Sequence, residues 1–378
     1  MDFGFSDEQE LLRAEVRKFL DQNAPLEHVR TLAETPRALD PALWGRMAEL
    51  GWVGLTMPEA HGGMGLDLLT LIVLLEETGR TLFPSPIVST VVAARAIARA
   101  GSEAQKARWL PGLAAGTTIG TLAYLEAGDR HAPDGVALAG ARDGEATVLS
   151  GAKELVADTA TADLFVVVYR SGAAPDALSL AVVERGTRGL AVEDLPTIDA
   201  TKRIGRLVLD GVRIEADARL GAEGEGGALF QELLDVGALL TSAEIVGAAE
   251  GAVAITTRFA RERVQFGSPI GRFQAVKHPL ADAHVDTESI KSLVYYAAWA
   301  LDRGTDDASA AVSRAKAYAS EAFPRIGIDG VQLHGAVGFT WEYDIQLYLK
   351  RSKWARPAFG DADHHYERLA ARSLAPGA

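Results

Sequence analysis

The sequence predicts a mainly α-helical protein with a β domain at its centre. Three observations carry that reading. Apolar residues recur at helical spacing over residues 6–118 and again from about 229. Between them, residues 119–228 hold β-branched apolar runs separated by glycines. Strands and helices are segregated rather than alternating, which argues against a parallel dinucleotide-binding sheet. The expected domains are 1–118, helical; 119–228, β; and 229–378, helical.

At the N-terminus, Ser6 with Gln9 forms a capping box, and Leu11, Leu12, Val16, Phe19 and Leu20 then share one helical face. Further helical patterns cover 41–51, 67–80, 87–101 and 103–115. Between the first two lies Met57-Pro58-Glu59-Ala60-His61-Gly62-Gly63-Met64-Gly65, whose glycines mark a tight turn. In the central region, Leu164–Tyr169, Leu178–Val183 and Leu207–Leu209 are the strand candidates, punctuated by Gly186, Gly189, Gly205 and Gly211. Gly221–Gly227 is the expected linker back to helices. Ser242, Gly247 and Gly251 then leave small surfaces where another helix can approach, and helical patterns follow at 272–302, 306–334, 342–353 and 361–373.

Composition narrows the function classes. The chain of 378 residues is 48% hydrophobic and 24% charged, ordinary for a globular protein with several cores. A formal charge of −13 without a basic stripe argues against a nucleic-acid partner. With no cysteine, disulfides, thiol nucleophiles and Cys-ligated metals are excluded. Met1–Ser6 lacks the basic start and apolar run of a signal peptide, and no uncharged apolar run reaches the ~20 residues of a membrane span. The expected setting is cytoplasmic, away from the membrane.

Two motifs carry chemistry. Arg263-Val264-Gln265-Phe266-Gly267-Ser268-Pro269-Ile270-Gly271-Arg272-Phe273-Gln274 closes one long helical pattern and opens the next. Gln332-Leu333-His334-Gly335-Ala336-Val337-Gly338-Phe339 follows the second of the later helices. An arginine fork suits phosphate oxygens, an aromatic ring packs on a dinucleotide, and glycines admit a close backbone. Together, in this order, they resemble the flavin-binding signature of the acyl-CoA dehydrogenases. The resemblance runs through nearly the whole chain, including the Pro58-Glu59 and Gly62-Gly63 loop.

It implies an N-terminal helical domain, a β barrel-like middle domain and a C-terminal four-helix bundle. It implies FAD as cofactor, with Arg263, Phe266, Gly267 and Gln274 meeting the flavin of a neighbouring subunit, and Gln332, Gly335, Gly338 and Asp363 as further contacts. Ala336 stands where most relatives have a second glycine. The family's Thr-Glu-Pro run is replaced by Leu125-Glu126-Ala127, and its Trp-Ile-Thr-Asn run after Gly151-Ala152-Lys153 by Leu155-Val156-Ala157-Asp158. A hydroxyl and a tryptophan beside the flavin are thus lost.

The family reaction takes a proton from the α-carbon of an acyl thioester while hydride leaves the β-carbon for flavin N5. The resemblance places the base at Asp361, one methylene shorter than the usual glutamate. The nitroalkane oxidases, a branch of the family, also use aspartate. An aspartate opening a helix is equally an N-cap, so both roles stay open. The alternative acid position, at Gly237-Ala238, holds no carboxylate. His364 and His365 read as packed or solvated histidines rather than metal ligands. Gly360 replaces a common tyrosine and, with Leu155 and Leu125, is expected to enlarge the substrate pocket for a bulky or branched, ring-bearing or steroid-like acyl-CoA.

The resemblance therefore implies an acyl-CoA dehydrogenase, assembled as a homotetramer or as a heterotetramer with a related subunit, and reoxidised by electron-transferring flavoprotein. Two other readings remain. One is a non-catalytic or FAD-site-completing subunit of a heteromeric enzyme. The other is a flavin oxidase of the same fold acting on a non-CoA substrate.

Overall fold

The computed structural model describes residues 5–374; the Met1–Gly4 part of the N-terminal segment read above lies outside them. The first helices are α1 (Asp7–Asn23), α2 (Leu26–Ala33), α3 (Pro41–Glu49), α4 (Leu68–Arg80), α5 (Ile87–Ala100) and α6 (Glu103–Ala114). Strands follow as β1 (Gly120–Ala123), β2 (Gly140–Asp143), β3 (Ala146–Ala157), β4 (Leu164–Arg170), β5 (Leu178–Glu184), β6 (Leu190–Leu195), β7 (Ile204–Ile214) and β8 (Arg219–Leu220). The rest comprises α7 (Gly227–Glu262), the short strands β9 (Val264–Gln265) and β10 (Ser268–Pro269), and α8 (Gln274–Arg303), α9 (Ala308–His334), α10 (Ile345–Ala355) and α11 (Ala362–Ser373). The chain divides into two compact units. One takes the residues up to Thr31, Leu68–Pro84 and everything from Ala238; the other takes Leu32–Asp67 and Ser85–Gly237.

In the first unit, the Ser6 hydroxyl accepts from the Gln9 amide while the Gln9 side chain accepts from the Ser6 amide, completing the capping box. Val16, Phe19 and Leu20 are buried, but Leu11 is 63% exposed. At helical pitch Leu11 lies about 140° around the axis from Val16, off the apolar stripe. Helix α4 is buried along most of its length, and Asp302 accepts from its Leu68 and Leu69 amides at 3.1 and 3.2 Å. Helix α9 is the hub of the C-terminal helices, packing against α8, α10 and α11.

Gly247 and Gly251 of α7 act as expected. A Cβ on Gly247 would lie 1.7 Å from the Glu76 carbonyl oxygen, and one on Gly251 would lie 2.6 Å from that of Arg80. In return, a Cβ on Gly79 would lie 2.1 Å from the Glu244 carbonyl oxygen. Helices α4 and α7 thus meet backbone to backbone. Among the described residues α7 is the one helix long and apolar enough by composition to cross a membrane, but 78% of that window is buried inside the protein, as in a core helix.

In the second unit, the strands form two four-stranded sheets, ordered β1-β4-β5-β8 and β2-β3-β7-β6. Among the described strands of the two sheets, only the β1–β4 pairing is parallel. The apolar runs around 164, 178 and 207 became β4, β5 and part of β7, whereas β3 escaped notice because it is interrupted by irregularities at Leu149/Gly151 and Lys153/Val156. In the loop before α4, Gly62 has φ +87° and a Cβ on Gly63 would meet the Met57 carbonyl oxygen at 2.1 Å, so these glycines serve the turn. The Gly221–Gly227 connection is pinned rather than free: the Gly226 amide donates to the Leu178 carbonyl at 2.7 Å.

Replacing Gly247 by alanine gains about 1 kcal/mol of helix propensity. A methyl 1.7 Å from a backbone oxygen forces α4 and α7 apart, an overpacking cost of about 1–3 kcal/mol or more. Gly247→Ala is therefore expected to lower the thermal midpoint, measured by calorimetry. An unchanged or raised midpoint would contradict the contact.

Candidate active site

At the end of α7 the chain reverses through the β9–β10 hairpin, with Gln265 opposite Ser268 and Val264 opposite Pro269. Its two turn residues, Phe266 and Gly267, have φ +54° and +76°, the signs a tight two-residue hairpin requires. Phe266 pays backbone strain for a place normally given to Asn or Gly. Its ring is 93% exposed. Arg263 is exposed and has no ion-pair partner among the described residues. Its carbonyl accepts from the Ile270 amide at 2.8 Å, which fixes the base of the hairpin. Gln274 is exposed at the first turn of α8.

The second motif ends α9. Gln332 and Gly335 are exposed, and Gly335 has φ +66° and ψ −146°, a conformation reserved for glycine. Gly338 is buried, with the Val331 carbonyl oxygen 2.6 Å from where a Cβ would stand. Ala336 is exposed, so its methyl meets no obstacle within the chain. Phe259, one turn before Arg263, stacks on His334 at 4.3 Å, and Tyr343 packs edge-on against both rings. Those contacts bring the two motifs to one end of the helical unit.

The residues fit a dinucleotide. Arg263 is exposed four residues before Gly267, and at Gly267 and Gly335 a Cβ would meet nothing within 4 Å, so phosphate oxygens can reach the backbone there. Phe266, Phe339 and Trp341, close to these glycines in the chain, are 93%, 77% and 71% exposed, unusual for large aromatic side chains.

Asp361 lies on the loop between α10 and α11. Phe359 and Gly360 have φ +56° and +99°, and Asp361 then caps α11, its Oδ1 accepting from the His364 amide at 3.0 Å. The carboxylate is half-buried, and Oδ2 has no hydrogen bond among the described residues. Asp363 is exposed in the first turn of α11.

Gly360 departs from expectation. A Cβ there would meet the His364 ring at 2.4 Å and His365 Nε2 at 3.1 Å, so the space left by the missing side chain is filled. Glycine is required by the left-handed bend, and Gly360 opens no pocket of its own. His365 is wholly buried, with its ring nitrogens 3.3 Å from Ser313 Oγ and 3.1 Å from the Phe359 carbonyl oxygen.

Beneath the loop is Lys316, a fully buried residue that sequence reasoning missed. Its ammonium donates to Ser320 Oγ at 2.8 Å and to the carbonyls of Ala355 at 3.2 Å, Arg356 at 2.8 Å and Gly360 at 2.8 Å. Burial pushes Lys316 down to about 7, while the Asp361 charge pulls it upward. A helical signal was available: Val312, Lys316, Ser320 and Phe323 fall on one buried stripe of α9.

In the second unit, Leu125 is buried and its carbonyl accepts from the Glu154 amide at 2.8 Å. Leu155 is half-exposed with φ +50°, at the irregular turn of β3 between Lys153 and Val156. Lys153, also missed as a partner, is fully buried, with Nζ 2.5 Å from Glu126 Oε1 and 3.2 Å from the Tyr124 carbonyl oxygen. Glu126 accepts in addition from the Ala137 and Leu138 amides at 3.0 Å. Burial lowers Lys153 to about 8, against the pull of Glu126. This ion pair holds the Tyr124-Leu125-Glu126 run to β3.

His365 makes the docking of α11 acid-sensitive. Burial, with Lys316 and Arg368 nearby, holds its imidazole neutral down to about 2. The unfolded chain takes up this proton near 6.5. Below that pH the unfolded state binds more protons, so stability falls as pH falls, by up to about 1.4 kcal/mol per pH unit from this group. The thermal midpoint is expected to drop between pH 7.5 and 5.5, and His365→Gln is expected to flatten part of that drop. Parallel pH dependences for the two proteins would exclude this role.

The sequence matches two family profiles, "Acyl-CoA dehydrogenase, N-terminal domain" over residues 6–117 and "Acyl-CoA dehydrogenase, C-terminal domain" over residues 224–374. It is 32% identical to acyl-CoA dehydrogenase IpdE2 of Mycolicibacterium smegmatis over 367 residues, 97% of this chain and 99% of that protein. Among solved structures it is similar to a variant of the Tcur3481-Tcur3483 steroid ACAD, with 33% identity and a TM-score of 0.87 over 97% of each chain. It is also similar to a chain of the ChsE4-ChsE5 complex from Mycobacterium tuberculosis, with 28% identity and a TM-score of 0.90 over 100% of each. This chain belongs to the acyl-CoA dehydrogenase family, the FAD-dependent oxidoreductases that act on CH–CH bonds.

Proposed function

We propose that this chain dehydrogenates a bulky acyl-CoA thioester at its α and β carbons, with Asp361 taking the α-proton. The observation that carries the assignment is the half-buried Asp361 carboxylate, one oxygen engaged as a helix cap and the other without a hydrogen bond. One oxygen thus orients the group while the other remains able to accept a proton. FAD, when bound, supplies the acceptor for the hydride that leaves the β-carbon. Arg263, Gly267, Gln274, Gln332, Gly335, Gly338 and Asp363 are the residues assigned to holding it, with Phe266 packed on the dinucleotide.

The bulky substrate rests on Leu155, a smaller side chain than the tryptophan usual at that position, and on similarity to a structure named as a steroid enzyme. The exposed Phe266, Phe339 and Trp341 support assembly with a second copy or a related subunit. Electron-transferring flavoprotein is the proposed acceptor. A second reading, a subunit that mainly completes the FAD site of a heteromeric enzyme, is favoured by similarity to structures named as two-component assemblies.

Asp361→Asn keeps the cap and removes the proton acceptor. It is expected to leave flavin content intact and to slow anaerobic bleaching of the flavin by thioester at least about 10²–10⁴-fold. In wild type, ring-bearing thioesters should bleach faster than straight short chains. Wild-type bleaching in the variant sinks the base assignment, and a preference for short straight chains sinks the bulky-substrate reading.

Arg263→Ala tests the cofactor site separately. Losing a charge-assisted phosphate contact should cost roughly 1.5–3 kcal/mol of flavin affinity. The variant should purify with depleted flavin and dissociate more readily on size exclusion. Full flavin occupancy in it would overturn the assignment.

A further inference from the structure

The loop that carries Asp361 has little regular backbone bonding of its own. Ala355 and Arg356 end α10, where carbonyls lose their helical partners. Phe359 and Gly360 then bend through successive left-handed conformations, which persist only where surroundings hold them. The holding is visible. Lys316 on α9 takes the carbonyls of Ala355, Arg356 and Gly360, and Ser320 Oγ donates to the Arg356 carbonyl at 3.3 Å. From the other side, His365 Nε2 meets the Phe359 carbonyl oxygen at 3.1 Å. The Gly360 carbonyl that Lys316 grips belongs to the peptide bond leading into Asp361.

We infer that Lys316 is the positioning residue for Asp361, clamping the 355–360 bend so that a base with a short arm is held at its working reach. This deepens the proposed function and rests on its assignment of Asp361 as the base. The physical reason is the missing methylene. A glutamate can absorb a displaced backbone by turning an extra bond, but an aspartate cannot, so its Cα must be fixed. Three ammonium protons shared among four oxygens, all within 3.2 Å, fix it from within the core. The cation costs desolvation, and satisfied carbonyls offset that cost only where the loop stays closed.

The test uses the FAD-loaded protein, with its related subunit where flavin retention requires one, and compares wild type with Lys316→Met, Asp361→Asn and the double variant Lys316→Met/Asp361→Glu. Two quantities are read: amide hydrogen exchange across residues 355–365, and the limiting rate and half-saturation of anaerobic flavin reduction by thioester. Lys316→Met should speed exchange at Gly360 and Asp361 and lower the limiting rate on the order of 100-fold, with little change in half-saturation. Adding Asp361→Glu should recover part of that rate, because a longer arm spans the displaced loop; a purely structural lysine would give no such rescue.

A wild-type limiting rate in Lys316→Met overturns the inference, even if exchange is faster. So does a slowed Lys316→Met that Asp361→Glu leaves unrescued. Should Lys316→Met fail to fold, Lys316→Gln and Ser320→Ala each remove part of the clamp, and wild-type rates in both overturn it equally. The two assignments fail in different ways. A normally reducing Asp361→Asn removes the base and its positioning together, whereas an inert Asp361→Asn beside a fully active Lys316→Met removes the positioning role alone.

Discussion

The close approach of α4 to α7 is the constraint on which the first unit depends. Gly79, Gly247 and Gly251 let the two backbones touch, leaving no room for side chains between them. That contact fixes the axis of a 36-residue helix whose far end delivers Phe259 and Arg263. Since Phe259 stacks on His334 at the end of α9, a glycine contact made near residue 247 governs where two motifs far apart in the chain come together.

The same contact places acidic side chains where they must be paired. Glu76 and Glu77 are both buried on α4. Arg13 meets Glu76 at 2.6 Å, while Arg17 and Arg80 meet Glu77 at 2.7 and 2.8 Å. Burial still pushes Glu76 up to about 7 against the pull of Arg13, which shows that desolvation is the larger effect at that carboxylate. Lys153 in the second unit and Lys316 in the first follow the same rule with the sign reversed: each is lowered by burial and then enclosed by oxygens. Such groups are poor sources of net stability, but once their partners are in place they tolerate few alternative arrangements. In this protein they sit beneath the segments bearing Leu125 and Asp361.

Strained backbone recurs near the assigned segments but is not confined to them. Phe266, Leu155, Asp158 and Phe359 have positive φ without being glycine and fall within or next to a motif assigned to cofactor or base, whereas Ala38 and Leu82 share that conformation elsewhere in the chain. Such conformations cost about 1–3 kcal/mol each and survive where neighbours over-determine them. The hairpin register holds Phe266, the β3 irregularity holds Leu155, and Lys316 with His365 holds Phe359.

The helices, the central strands, the capping box at Ser6 and the small surface of α7 were legible in the sequence. Each rests on local spacing, because a helix or strand writes its buried face into the periodicity of the chain. The N-cap geometry of Asp361 was legible for the same reason. Leu11 was misplaced on a buried face because an apolar residue can sit off the stripe at little cost. Gly360 looked like an opening because the sequence shows which side chain is missing but not that His364 and His365 occupy its place. The partnerships of Lys316 with Gly360 and of Lys153 with Glu126 were hidden because they join residues distant in the chain. Which oxygens surround a buried cation is decided only when α9 meets the end of α10, or β3 meets the Glu126 run, since that depends on packing distances that no spacing along the chain encodes.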